Sequence, residues 1–141
     1  MTMHEQVGSK VLITAKVAVI RNGEILLVRR GETAPSRPLG WDFPGGATET
    51  DEDPKDAAAR ETMEETGIKI TDLKVLDTHF IYFQPVKSNV LIVFFQAKTD
   101  TSEVKLSREH DKYEWVSLDS ISDYELPEVF HEMINLLNPS T

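Results

Sequence analysis

Glu61, Glu64 and Glu65 fall at spacings of three and four residues in the stretch AAARETMEET, beside Arg60 and shortly after Glu49 and Glu52. On a helix the three carboxylates are neighbours, and like charges so placed cost roughly a few tenths of a kcal/mol each in water. Arg60 offsets part of this because Glu64 lies four residues on. No lysine is interleaved, so the pattern works against stability and in favour of a bound cation. Hard ions such as Mg²⁺ or Mn²⁺ take carboxylate and carbonyl oxygens and commonly bridge protein carboxylates to substrate phosphates. A solvated acidic helix face is the plainer account of any glutamate-rich helix, and the surrounding spacing must separate the two.

The element that carries these side chains is well marked. Asp53 suits the N-cap, Pro54 the first helical position, Asp56 the positive end of the dipole, and Gly67 the left-handed stop. A helix over 54–66 is therefore predicted, following a Gly45-Gly46 turn. A wheel of about 3.6 residues per turn puts Ala58, Ala59, Thr62, Met63 and Thr66 on the packing side. Ala57, Glu61, Glu64 and Glu65 fall opposite, with Arg60 at their flank.

Gly46, Glu52, Arg60, Glu61, Glu64, Glu65, Gly67 and Ile68 together reproduce a longer spacing, which resembles the Nudix hydrolase signature G-x5-E-x7-R-E-U-x-E-E-x-G-U, U being a bulky aliphatic. Seven fixed letters, each at a usage of about 7%, match a given start by chance roughly once in 10⁸. Thr62 departs from the pattern in the first aliphatic slot. Its methyl is expected to pack and its hydroxyl to bond back along the helix.

The resemblance implies an α/β/α sandwich with a mixed sheet between helices, as one domain over 1–141. It also implies Mg²⁺- or Mn²⁺-dependent hydrolysis of a pyrophosphate link. Glu61, Glu64 and Glu65 then correspond to metal ligands, with Glu65 central and the carbonyl of Gly45 joining them. Arg60 would hold a glutamate in place and Glu52 would support that network. Glu61 is the first choice for activating water. Ser107-Arg108-Glu109-His110 resembles a loop of nucleotide-cleaving members in which a Glu supplies a metal contact or the base, so Glu109 joins the catalytic candidates. His110, His79 and His131 are read as structural.

Composition narrows the partners. Fifteen basic against 24 acidic residues give a net charge of −9, which argues against a nucleic-acid polymer. From residue 99 onward ten acidic and three basic residues give −7, whereas 21–40 holds four arginines and two glutamates, +2. A small basic area beside an acidic site suits a phosphorylated small molecule. Arg29, Arg30 and Arg37 are candidate phosphate contacts, since guanidinium matches phosphate geometry. Trp41 and Tyr82 are candidates to stack on a base. There is no cysteine, which excludes thiol chemistry and argues against the isopentenyl diphosphate isomerases, which share the fold that the resemblance implies but use a catalytic Cys. Residues 1–10 are polar, and no stretch approaches the roughly 18 apolar residues of a membrane span. A cytoplasmic protein without membrane partners is expected, and the resemblance allows a homodimer.

The remaining elements follow from periodicity. A strand over 11–20, the Asn22-Gly23 turn and an apolar run at 25–28 form a hairpin. Strands are predicted over 73–83, 90–97 (buried on both faces) and 113–118, with a second helix over 126–137 whose stripe is Val129, Phe130, Met133, Ile134 and Leu137. The lead-in Gly40-Trp41-Asp42-Phe43-Pro44-Gly45-Gly46 resembles the MutT branch, but Val129 and Phe130 stand where that branch places a purine-reading Asn. A nucleoside triphosphate or related nucleoside diphosphate derivative is the leading substrate class. An ADP-ribose or dinucleotide pyrophosphatase, or a sensing module without turnover, are the alternatives.

Overall fold

The structure, a computed structural model, describes residues 10–138; the polar opening stretch 1–9 and residues 139–141 lie outside it. Strand β1 (Val11–Arg21) turns through Asn22 and Gly23 into β2 (Glu24–Arg30). Both turn residues have positive φ, 51° and 77°, as the tight hairpin turn that Asn-Gly favours requires. Two short strands follow, β3 (Trp41–Asp42) and β4 (Gly45–Ala47), then helix α1 (Pro54–Thr66). Next come β5 (Thr71–Phe83), β6 (Ser88–Lys98), β7 (His110–Ser117) and helix α2 (Glu128–Ile134). The sheet is mixed, in the order β3-β2-β1-β6-β5, with β4 also on β1 and β7 also on β2. Strand β6 runs parallel to β1 over ten residue pairs, and β5 pairs antiparallel with β6.

Because side chains alternate along a strand, β1 supplies both layers. Ala15, Val17 and Val19 pack with Ala57, Ala58 and Ile68 beneath α1. Ala18 faces the other way, into a cluster with Phe43, Phe94, Phe130 and Met133 beneath α2. Phe43, Phe94 and Phe130 meet edge-on or tilted, with centroids 4.8–6.3 Å apart. Each such buried ring contributes about 1.5–3 kcal/mol. The result is the expected sandwich of a mixed sheet between helices.

Helix α1 has the expected ends. Asp53 Oδ1 accepts from the Lys55 N–H at 2.9 Å, and Gly67, at φ 73°, donates to Met63 O. Its buried face keeps the predicted Ala58, Thr62 and Thr66 but is turned, with Ala57 and Glu65 in place of Ala59 and Met63. Ala57, Ala58, Thr62, Glu65 and Thr66 are buried, while Ala59 is exposed and Met63 is 45% exposed. The small Ala57 and Ala58 allow close approach to β1, and that rotation carries Glu65 inward. Thr62 also departs from expectation: its Oγ1 has no hydrogen-bond partner, and the hydroxyl that bonds back along the helix is that of Thr66, which donates to Thr62 O at 2.6 Å.

Two further expectations shift. In β6 only Phe94 to Ala97 form a continuous buried run, and Leu91 to Val93 are half-buried, since the start of the strand borders open space rather than a helix. Helix α2 is shorter than 126–137, with Phe130 and Met133 as its buried residues and Leu126 buried just ahead of it. Among the described residues no helix is long and apolar enough to cross a membrane.

Candidate active site

Strand β4 is laid so closely on β1 that only glycine fits. A Cβ at Gly45 would lie 2.0 Å from Ala15 O, and its φ is +143°. A Cβ at Gly46 would meet the Glu61 carboxyl at 2.6 Å. This pair of glycines is what allows a backbone strand to run against the acidic end of α1. Across the contact, the Gly45 N–H donates to Glu65 Oε1 at 2.8 Å.

Arg60 organises the neighbouring carboxylates. It makes two 2.8 Å bonds to the two oxygens of Glu52 and one of 2.9 Å to Glu61 Oε1, and it approaches Glu64 at 3.3 Å. Its Nη2 also reaches Ala47 O at 3.2 Å, tying the cluster to β4. The bidentate guanidinium holds the Glu52 carboxyl down at about 2, chiefly by hydrogen bonding, and the same bonds raise Arg60 itself. Glu64 remains 57% exposed.

Glu65 has a different environment. It is buried to 5% exposure, and burial pushes its carboxyl up to about 8. Lys16 and the Gly45 N–H act in the opposite direction, and Glu109 and Asp42 add to the rise. The ligand atoms of Glu65, Glu109 and His110 lie within 4.8 Å of one another. His110 is buried, its Nδ1 has no partner, and burial lowers the pKa of its ring. A buried carboxylate, a second carboxylate and an imidazole nitrogen without a partner form a donor set that fits a divalent cation.

The loop bearing Glu109 is pinned rather than free. Lys105 N–H donates to Thr66 O, Ser107 N–H to Glu65 O and Gly31 N–H to Glu109 O, at 2.9, 3.2 and 3.2 Å. The first two bonds satisfy carbonyls at the end of α1 that have no partner within the helix. The tail of the acidic helix thus positions the loop that completes the cluster.

Asp42, which the sequence does not single out, is 3% exposed and central. Its Oδ2 accepts from Lys16 Nζ at 3.0 Å and Arg30 Nη1 at 3.2 Å, and its Oδ1 from the Phe43 N–H. Two cations share one carboxylate, leaving net positive charge. Lys16 sits opposite Gly45 in the β1–β4 register, a placement that no local motif announces. The one available signal is that Lys16 interrupts the apolar alternation of β1.

Two cavities meet at this pair of cations. A polar one of about 510 Å³ is lined by Gly45, Gly46, Glu65, Arg108, Glu109 and His110. An apolar one of about 500 Å³ lies beneath α2, with Ile81, Phe83, Val86, Ile92, Val129 and Phe130 among its walls. Lys16, Arg30, Pro35 and Asp42 line both. His79, read as structural from sequence, also lines the apolar cavity, as does Pro85.

The expected substrate contacts divide accordingly. Arg30 lines both cavities, and Arg37 lines the apolar one while donating to Trp41 O and Glu125 at 2.8 Å. Three of the expected contacts lie outside both cavities. Arg29 points to the other side of β2 and pairs with Asp111 at 2.9 Å, because adjacent strand residues face opposite ways. Trp41 lines neither cavity and instead packs edge-on against Tyr124, centroids 5.2 Å apart. Tyr82, 55% exposed, alternates with Ile81 and Phe83 and so faces away from the cavity they line.

Fold and site together define a class, an α/β/α sandwich with a glycine strand pressed on an acidic helix. The chain belongs to the NUDIX domain family, whose pattern matches residues 12–137. It is 31% identical over 109 residues to a MutT-like protein of Streptomyces ambofaciens, covering 77% of this chain and 65% of that one. An asymmetrical bis(5'-nucleosyl)-tetraphosphatase of Rattus norvegicus is 35% identical over 83 residues, 56% of each chain. The chain thus spans less than two thirds of either curated relative. Among solved structures, a MutT protein from Methanosarcina mazei Go1 superposes with a TM-score of 0.77 at 32% identity, covering 92% of this chain and 94% of that one.

Proposed function

We propose that the protein is a divalent-metal-dependent pyrophosphohydrolase acting on a nucleoside triphosphate or another nucleoside diphosphate derivative, met as a free nucleotide in the cytoplasm. The observation that carries this reading is the gathering of buried Glu65 with Glu109 and His110 beside Lys16 and Arg30. Glu65 and His110 would hold the cation, with the Gly45 carbonyl, Glu61 and Glu64 as further oxygen donors and the Glu109 carboxylate beside them. A divalent cation there supplies neutralisation of phosphate charge and lowers the pKa of water.

The chain's own groups account for the rest. Lys16 and Arg30 bind the phosphate chain where the two cavities join, and the apolar cavity takes the nucleoside. Water adds to one phosphorus, the anhydride P–O bond breaks, and the water's proton passes to a carboxylate. We assign that proton to Glu109, which lines the cavity and has no ion pair among the described residues. Glu61, the first choice from sequence, lies behind Gly46 and already accepts from Arg60, which weakens it as a base. Glu109→Gln is then expected to lower turnover more than Glu61→Gln.

The apolar walls support selection of the base by shape. Val129 and Phe130 line the cavity, so no amide reads a purine edge from those positions. The tetraphosphatase relative supports a second reading, cleavage of a dinucleoside polyphosphate. A panel of dNTPs, 8-oxo-dGTP, dinucleoside polyphosphates, ADP-ribose and NADH, with Mg²⁺ and with EDTA, separates the readings. Pyrophosphate released only with metal supports the triphosphate. Nucleotide products from a dinucleoside support the second reading, and AMP with ribose 5-phosphate supports ADP-ribose. Tight binding of one compound with no cleavage of any would overturn the enzymatic assignment.

A further inference from the structure

Arg108 differs from the other described arginines in having no hydrogen bond or ion pair. Arg29 is bound to Asp111, Arg30 to Asp42, Arg37 to Glu125, Arg60 to Glu52 and Arg21 to the Asp100 carbonyl. Arg108 is exposed and lines the polar cavity. Its side chain is free, but its backbone is not. It lies between Ser107, whose N–H is bonded to Glu65 O, and Glu109, whose carbonyl accepts from Gly31 N–H. A guanidinium is therefore carried on a fixed stalk at the cavity wall with its five donors unused.

The order of the cations along the two cavities gives Arg108 a specific place. Arg37 lines only the apolar cavity, Lys16 and Arg30 line both, and Arg108 lines only the polar one. A linear ligand with its base in the apolar cavity has its first phosphate at Lys16 and Arg30. Only its later phosphates extend toward Arg108. The charge balance agrees, since Lys16 and Arg30 are partly neutralised by Asp42 and Arg108 by nothing. Resting on the proposed pyrophosphohydrolase reading, we infer that Arg108 binds the terminal phosphate of the substrate and sets the preference for a triphosphate over a diphosphate.

The test compares wild type, Arg108→Ala and Arg108→Lys on the triphosphate and the diphosphate of one nucleoside, with Mg²⁺ saturating. A lost charge-assisted phosphate contact is worth about 10- to 100-fold. Arg108→Ala is expected to lower kcat/KM for the triphosphate by that factor, mainly through KM, and to lower it less for the diphosphate. Arg108→Lys should recover part of the loss. Equal losses on both substrates, or no loss, would overturn the inference while leaving the enzymatic reading intact. If wild type cleaves neither nucleotide, the triphosphate form of that reading fails, and equilibrium binding of the α,β-methylene triphosphate decides the inference separately. Weaker binding to Arg108→Ala than to wild type upholds it; equal binding, or none to either protein, overturns it.

Discussion

Glu65 reaches back twenty residues to accept the Gly45 N–H through Oε1 at 2.8 Å. That bond joins the packing face of α1 to the strand laid on β1, so one side chain is both a structural tie and a candidate ligand. It also explains why a carboxylate lies among alanines: its one firm partner is a backbone donor that cannot move without displacing β4.

Glu65→Gln is expected to separate these two roles. The amide oxygen can keep the bond to Gly45, while the charge that a cation needs is gone. Metal-dependent turnover should fall by about 10³, with thermal stability at neutral pH unchanged or slightly raised, because glutamine does not have to take up a proton on folding. Calorimetry and a turnover assay on the same preparation check this. An unchanged rate would sink the assignment of the metal site.

The raised carboxyl of Glu65 predicts how stability depends on pH without metal. Its folded value of about 8 lies above the ordinary 4.5, so between these values the folded state holds a proton that the unfolded state has lost. The stabilisation is complete below about 4.5 and is lost as pH rises through about 8, at no more than about 1.4 kcal/mol per pH unit. Melting in EDTA from pH 5 to 8.5 should show this decline, and Glu65→Gln should flatten it. Adding Mg²⁺ at pH 7 should release protons.

Arg60→Lys tests whether the fork geometry matters. Lysine keeps the charge but cannot bond both oxygens of Glu52 while also reaching Glu61. Activity is expected to fall about 10- to 100-fold, with a higher Mg²⁺ concentration for half-maximal rate. A metal titration that superposes on wild type would refute the clamp.

Thr62 carries a testable defect. Its hydroxyl is buried without a partner, and such a group costs about 1–3 kcal/mol. Thr62→Val replaces the hydroxyl with a methyl of nearly the same shape, so denaturant melts should show a gain of about 1 kcal/mol. A loss would mean that the hydroxyl has a partner in solution.

Much of this was legible in local sequence. The N-cap Asp53, Pro54 and Gly67 bounded α1 because caps are satisfied within a few residues. Asn22-Gly23 gave the hairpin for the same reason, and the spacing from Gly46 to Ile68 gave the family. The buried face of α1 was legible in Ala58, Thr62 and Thr66, but its rotation toward Ala57 and Glu65 was not, because burial of a glutamate runs against its hydropathy. Contact with β1 and β4 decided it. Likewise, nothing near Lys16 or Asp42 in the chain announces a shared ion pair, and His110 looked like an isolated histidine. Trp41 and Tyr82 suggested stacking by type alone, and strand alternation and a Tyr124 neighbour removed them from the cavity walls. Short-range bonds determine caps, turns and motif spacing, so the sequence by itself determined those. The charge environment of Glu65, the cation pair at Asp42 and the division of the site into two cavities depend on contacts between residues 12 or more positions apart, and only the tertiary structure decides which of these form.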